Sequence, residues 1–286
     1  MNKWKGALRE GDMLKVKEKL SIATTLHSEH YDELLTKDSD IKCLEIISES
    51  FIGKNEEREE ILEKICKKYQ LIQHGLSLNI GSSDEIDFSY LRAIKKIARK
   101  IKSPWISDSL SWGRLKGSKS HDLLPIPYKK EFVKHISERA RIIQDFLELP
   151  LALKNLPSYL CYSGQEMPEW EFFSQIVEKS GIYIHLDIQN LLINAKNVGC
   201  QIEQCGNAIP LKRVAQIRLK KSLRASDNDR QSEIFDQACQ AYCQIYPQTK
   251  NAITIFECTN GSVPLNRLCE ELQKIEQIKK NIQGVK

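Results

Sequence analysis

LALKNLPSYL, residues 151–160, opens as an apolar run and ends that run on Lys154. A short apolar run between turn signals suits a buried strand, yet an unpaired ammonium is costly to take out of water. The stretch before it, 129–147, has helical spacing. So has PEWEFFSQIVEK (168–179) after it, with Pro168 near the first turn and acids following. Helix, apolar strand, helix is the repeating unit of a parallel sheet covered by helices.

That unit recurs along the chain. The β-rich runs are LSIATTL (20–26), IKCLEIIS (41–48), QLIQH (70–74), PWISD (104–108), PLALK (150–154), GIYIHLD (181–187), RVAQIRL (213–219) and AITIFE (252–257). Helical patterns lie between and after them at 56–68, 84–102, 129–147, 168–179, 230–246 and 263–280, with weaker ones at 28–35 and 190–205. In DEIDFSYLRAIKKIARKIK (84–102) acids lead and bases trail, matching the helix dipole; its basic end reads as a solvated face. Eight strand–helix units are what a closed (β/α)8 barrel requires. An open doubly wound sheet would more often carry a glycine-rich phosphate loop after its first strand, and TTLHSEH is not one. The expectation is one α/β TIM-barrel domain over 19–286, preceded by an N-terminal extension over 1–18.

Composition sets the outer limits. The chain has 286 residues, 41% hydrophobic and 28% charged, with a formal charge of +5 spread over mixed-sign helices, which argues against nucleic-acid binding. No run approaches a membrane span, and the charged start MNKWKGALREGDMLKVKEKL has no hydrophobic core of a secretory signal. Nine cysteines occur without a CxxC pair. Cys200/Cys205 and Cys239/Cys243 are the closest couples, and they read as reduced thiols, consistent with a cytoplasmic protein.

Barrel enzymes draw their chemistry from the carboxyl ends of the strands. Here those ends carry Glu45 and Glu49, His74, Asp108 and Ser109, Lys154 and Asn155, Asp187, Arg218 and Glu257. Histidine with carboxylates suits a metal. Lys154 and Arg218, however, stand in the same ring and compete for the same carboxylates. The set reads as a self-neutralising ion-pair network in which Lys154 faces Asp187 or Glu257, with nearby carboxylates raising its pKa. His185, two residues before Asp187 and on the same strand face, reads as a hydrogen-bonded core histidine. Trp105 and Trp112 read as packing.

The motifs HYDELL (30–35), LEIISESFIG (44–53), QHGLSLNIGS (73–82), ISDSLSW (106–112), HDLLPIPY (121–128), LKNLPSYL (153–160), EMPEWEFF (166–173), LDIQNLLINAKNVG (186–199) and IFE (255–257) occur in this order. Together they resemble the multinuclear non-haem iron-dependent oxidative enzymes, the family that includes the methanobactin-biosynthesis oxidase. The resemblance covers roughly residues 20–260. It implies a xylose-isomerase-type TIM barrel, bound iron, and oxidation of ribosomally made precursor peptides, often with a partner protein that holds the leader peptide. It also implies metal ligands at His74, Asp187 and Glu257, with Glu45 matching a strand acid and Asp227 and Asp229 in a loop where further ligands occur.

Elsewhere the chain departs from that pattern. Ser109, Val198 and Arg218 stand where the family has histidines, Lys154 where it has a glutamate, and Ile47 where a histidine is usual. Exchanging a carboxylate for an ammonium reverses the local field, and metal affinity depends on ligand number and charge. The resulting expectation is a degenerate member, catalytically impaired or a pseudoenzyme, that binds a peptide or partner protein. Its pocket would be lined by Glu45, Asp108, Ser109, Lys154, Asn155 and Arg218. The alternative is a residual oxidoreductase holding one metal ion at the barrel mouth.

Overall fold

The structure is a computed structural model. It describes residues 20–53, 55–115, 118–157, 159, 162–197, 199, 208–223, 229–249, 252–259 and 263–284. The extension expected over 1–18 lies outside the described residues, as do Val198, Cys200, Cys205 and Asp227.

Among the described residues each apolar run forms a strand and each helical pattern a helix; of the pattern over 190–205, residues 198 and 200–205 lie outside the described residues. The strands are β1 (Ile22–Thr25), β2 (Cys43–Ile47), β3 (Gln70–His74), β4 (Ile106–Ser109), β5 (Trp112–Leu115), β6 (Ser118–Leu124), β7 (Leu151–Lys154), β8 (Tyr183–Asp187), β9 (Val214–Lys221) and β10 (Ile253–Cys258). The α-helices are α1 (Tyr31–Thr36), α2 (Glu56–Lys68), α3 (Phe88–Ile101), α4 (Lys130–Leu147), α5 (Glu169–Ser180), α6 (Ile188–Asn197), α7 (Asp229–Ile245) and α8 (Leu265–Gly284). Local chemistry sets several ends. Asn55 caps α2 by accepting from the Arg58 N–H, and Asp87 caps α3 through the N–H groups of Ser89 and Tyr90. Gly181, at φ +73°, ends α5 in the left-handed conformation that glycine adopts without strain.

Eight strands close in the order β1-β10-β9-β8-β7-β4-β3-β2, all parallel, which is the (β/α)8 barrel. The hairpin of β5 and β6 stands outside the barrel and was not expected from the sequence. Leucines and isoleucines of the helices pack on the barrel's outer face. The barrel's inner floor is filled by Ala23, Cys43, Ile72, Trp105, Ala152, Tyr183, Ala215, Ile253 and Ile255.

Side chains alternate along each strand, so the residues two places beyond this floor also point inward. On seven of the strands they are polar: Thr25, Glu45, His74, Ser107, Lys154, His185 and Glu257, and on β9 a bulge brings Gln216 and Arg218 to the same face. In β9 the register slips between Ile184↔Val214 and His185↔Gln216, leaving Ala215 as the extra residue. Such a bulge lets neighbouring residues share a face. Ala215 joins the apolar floor and Gln216 the polar ring above it. No described helix is long and apolar enough to cross a membrane.

Candidate functional site

Arg218 is the centre of the barrel mouth. It is 2% exposed on β9, and its guanidinium donates to Glu45 Oε2 on β2 and to Glu257 Oε2 on β10. Its Nε donates to His185 Nε2 at 3.1 Å, and a longer 3.5 Å contact reaches Thr25 Oγ1. Glu45 is saturated from the other side by Gln216 Nε2, 3.1 Å from its Oε1. Gln216 is fixed in turn by Trp105, whose indole N–H donates to its Oε1 at 2.7 Å. Burial alone would lower the pKa of Arg218, but Glu45, Glu257 and Asp187 outweigh burial and raise it. Burial would likewise raise the Glu257 carboxyl; Arg218 and Lys154 hold it below its usual range.

Lys154 enters the ring from β7 but does not pair as expected. Its Nζ lies 3.2 Å from His74 Nε2, whereas Glu257 is taken by Arg218 and Asp187 lies 2.7 Å from Lys220 Nζ. The expected rise in its pKa is also reversed. Burial, then Arg218, push the Lys154 ammonium down to about 8 against the opposing pull of the carboxylates. Lys154 is the shorter-reaching cation, and Arg218 carries the ion-pair network. His74 donates or accepts at Nδ1 with Ser107 Oγ, 2.8 Å away. Burial and the two cations drive both His74 and His185 well below the ordinary histidine range, so both imidazoles are neutral. Their rings meet edge to face, with centroids 5.2 Å apart.

The remaining sequence candidates have other places. Ser109 is buried next to Lys154 in the ladder, and its Oγ has no hydrogen-bond partner among the described residues. Asn155 is a clamp: its Oδ1 accepts from the Asp187 N–H at 2.8 Å and its Nδ2 donates to the Asp187 carbonyl at 3.1 Å. Replacing Asn155 by alanine removes both of these buried hydrogen bonds. The expected cost is about 2 kcal/mol, read as a lowered urea midpoint.

Asp108 points away from the ring, on the opposite strand face from Ser109. Its Oδ2 accepts from Leu78 N–H at 3.2 Å and lies 3.3 Å from Tyr90 Oη, which donates to Glu49 Oε1 at 2.8 Å. This cluster accounts for the glycine after His74. A Cβ on Gly75 would fall 2.5 Å from Asp108 Oδ2 and 2.6 Å from Tyr90 Oη. Asp229 opens α7, with its side chain outside the described residues. Cys239 and Cys243 also lie on α7 as free thiols, and burial pushes Cys239 up to about 11.

Alternation also identifies members of the ring that the strand ends alone do not reveal. Gln216 and Lys220 lie two residues to either side of Arg218 on the same strand face.

Glu45, His74 and His185 each offer a donor atom, and these atoms lie within 4.8 Å of one another. Imidazole with carboxylate has the composition of a first-row metal site. The lone pairs, however, are engaged. Glu45 is held by Arg218 and Gln216, and the Nε2 of His74 by Lys154. The Nε2 of His185 accepts from Arg218, and its Nδ1 lies 2.8 Å from Gln216 Nε2. In this arrangement the residues do not fit a metal ion.

The comparisons with known proteins agree with this barrel. Among solved structures, L-ribulose 3-epimerase matches with a TM-score of 0.58 at 11% identity, covering 92% of this chain and 97% of that one. The 3-keto-D-glucoside 4-epimerase of E. coli matches with a TM-score of 0.57 at 14% identity, over 91% and 100%. At such identities the likeness is one of fold. In sequence, a UPF0276 protein of Anaeromyxobacter sp. strain Fw109-5 is 31% identical over 88% of this chain and 90% of its own length. A UPF0276 protein of Psychromonas ingrahamii is 30% identical over 92% and 95%. The model of the RiPP precursor modification enzymes MbnB/TglH/ChrH matches residues 22–280. With nearly the whole barrel matched, strand ends included, the chain belongs to the MbnB/TglH/ChrH family of RiPP precursor modification enzymes.

Proposed function

We propose that this chain is a degenerate member of its family, a pseudoenzyme that binds a peptide or a partner protein at the barrel mouth without oxidising it. One observation carries the reading: the carboxylates and imidazoles at the strand ends are engaged by Arg218, Lys154 and Lys220. Breaking a buried ion pair leaves an uncompensated charge, so the cations are held firmly. The ligand class follows from the family, whose name specifies precursor peptides. A leader-binding partner protein and a cytoplasmic setting fit the same reading, with residues 1–18 as an added arm. The test is metal analysis of protein made in iron-rich culture. The expected result is iron well below one ion per chain and no visible iron absorbance; stoichiometric, tightly held iron would sink the proposal.

A second reading is favoured by the compact donor set of Glu45, His74 and His185. In it the chain is a residual metal-dependent oxidoreductase with one ion at the mouth, and Arg218 and Lys154 must swing away to admit it. Of the ligands that the family resemblance implies, His74 belongs to this donor set, and Asp187 and Glu257 would join it only once Lys220 and Arg218 release them. Stabilisation of the unaltered protein by Fe(II) or Mn(II) is its signature, and a melting temperature indifferent to both disposes of it.

A further inference from the structure

Arg218 sits among groups that usually serve a metal. Two carboxylate oxygens, from Glu45 and Glu257, and one imidazole nitrogen, from His185, converge on its guanidinium from three different strands. Oxygen and nitrogen donors of this kind suit divalent first-row ions. His74 stands beside them, and its Nε2 is occupied by the second cation, Lys154.

The charges also match. Arg218 and Lys154 contribute one positive charge each, against the carboxylates of Glu45 and Glu257, while Lys220 answers Asp187 separately. Together the two side chains carry the charge of one divalent ion.

We propose that Arg218 and Lys154 are a built-in replacement for a divalent cation, masking a latent metal site made by Glu45, Glu257, His185 and His74. The guanidinium is the mask over the carboxylates and His185, and the ammonium is the mask over His74. Removing both frees Glu45 Oε2, Glu257 Oε2, His185 Nε2 and His74 Nε2, while Gln216 goes on holding Glu45 Oε1 and His185 Nδ1 from the side. The inference rests on the reading that the native mouth is metal-free. It adds that the ligand frame survives beneath the cations.

The experiment compares the unaltered protein, the double variant Arg218→Ala/Lys154→Met, and that variant carrying Glu45→Gln as well. The probe is Mn(II) alone, read by its electron paramagnetic resonance signal and by thermal melting. The double variant is expected to take up Mn(II) saturably. Its melting temperature should rise by about 5 °C at a metal concentration about 100 times its Kd. The unaltered protein and the triple variant should show neither response. If the double variant is unfolded without metal, recovery of its cooperative melt in Mn(II), absent in the triple variant, supports the proposal; no recovery overturns it. A folded double variant that ignores Mn(II) overturns the latent site and leaves the metal-free reading intact. Saturable binding by the unaltered protein overturns both.

Discussion

Replacing Arg218 by methionine is expected to destabilise the barrel by about 3–5 kcal/mol, measured as a loss in the free energy of guanidinium chloride unfolding. The dominant cause is Glu45. Its side chain is 0% exposed, against 29% for Glu257, so water can solvate the second carboxylate but not the first. The uncharged methionine preserves much of the volume, so the loss reads the orphaned charge more than a cavity. Glu45→Gln removes that charge. In the double variant Arg218→Met/Glu45→Gln the two losses should therefore fall well short of additivity. An Arg218→Met protein within 1 kcal/mol of the parent would mean that the network at the mouth contributes no more than a surface ion pair.

The second large effect is one of pH and belongs to Asp108. Burial, then the neighbouring Glu49, raise its carboxyl from 3.8 to about 7 in the folded protein. Between those values the folded chain keeps a proton that the unfolded chain has released. Stability therefore falls as pH rises from about 4 to about 7, and this contribution levels off above. Asparagine cannot titrate. The stability of Asp108→Asn minus that of the parent should climb by about 1.4 kcal/mol per pH unit across that window, then become flat. Taking the difference cancels the other buried groups, including Glu169, whose carboxyl burial also pushes up to about 7. A difference independent of pH between 4 and 7 would show that Asp108 is ionised throughout.

The barrel was legible in the sequence because every strand of it is an apolar run between helical patterns, a signal set by local period alone. The β5–β6 hairpin was not, since WGRL and the polar run after it have neither alternation nor a helical period. The ring's membership was largely legible too, because alternation fixes which residues point inward. Partner choice was not. Lys154 meets His74 on β3, with β4 standing between their strands in the ladder, and no sequence spacing encodes that distance. Lys220 could have been found as the next inward residue after Arg218, and it claims the Asp187 carboxylate that Lys154 was expected to face. The pKa of Lys154 was misjudged because the carboxylates were counted without the competing charge of Arg218 or the cost of burial. Asn155 and Asp108 were read as pocket residues from their place at strand ends. They lie one residue out of phase with the ring, which makes one a backbone clamp and the other part of a carboxyl–tyrosine cluster.

Trp105 lies at the floor of the barrel with its indole fully buried, and its N–H reaches Gln216, which in turn touches Glu45. The chromophore is thereby wired by hydrogen bonds to the charged mouth while staying shielded from solvent. Its emission is expected to be blue-shifted, and its wavelength will respond to any change in the field above it. The barrel thus carries its own optical gauge of what happens at Arg218.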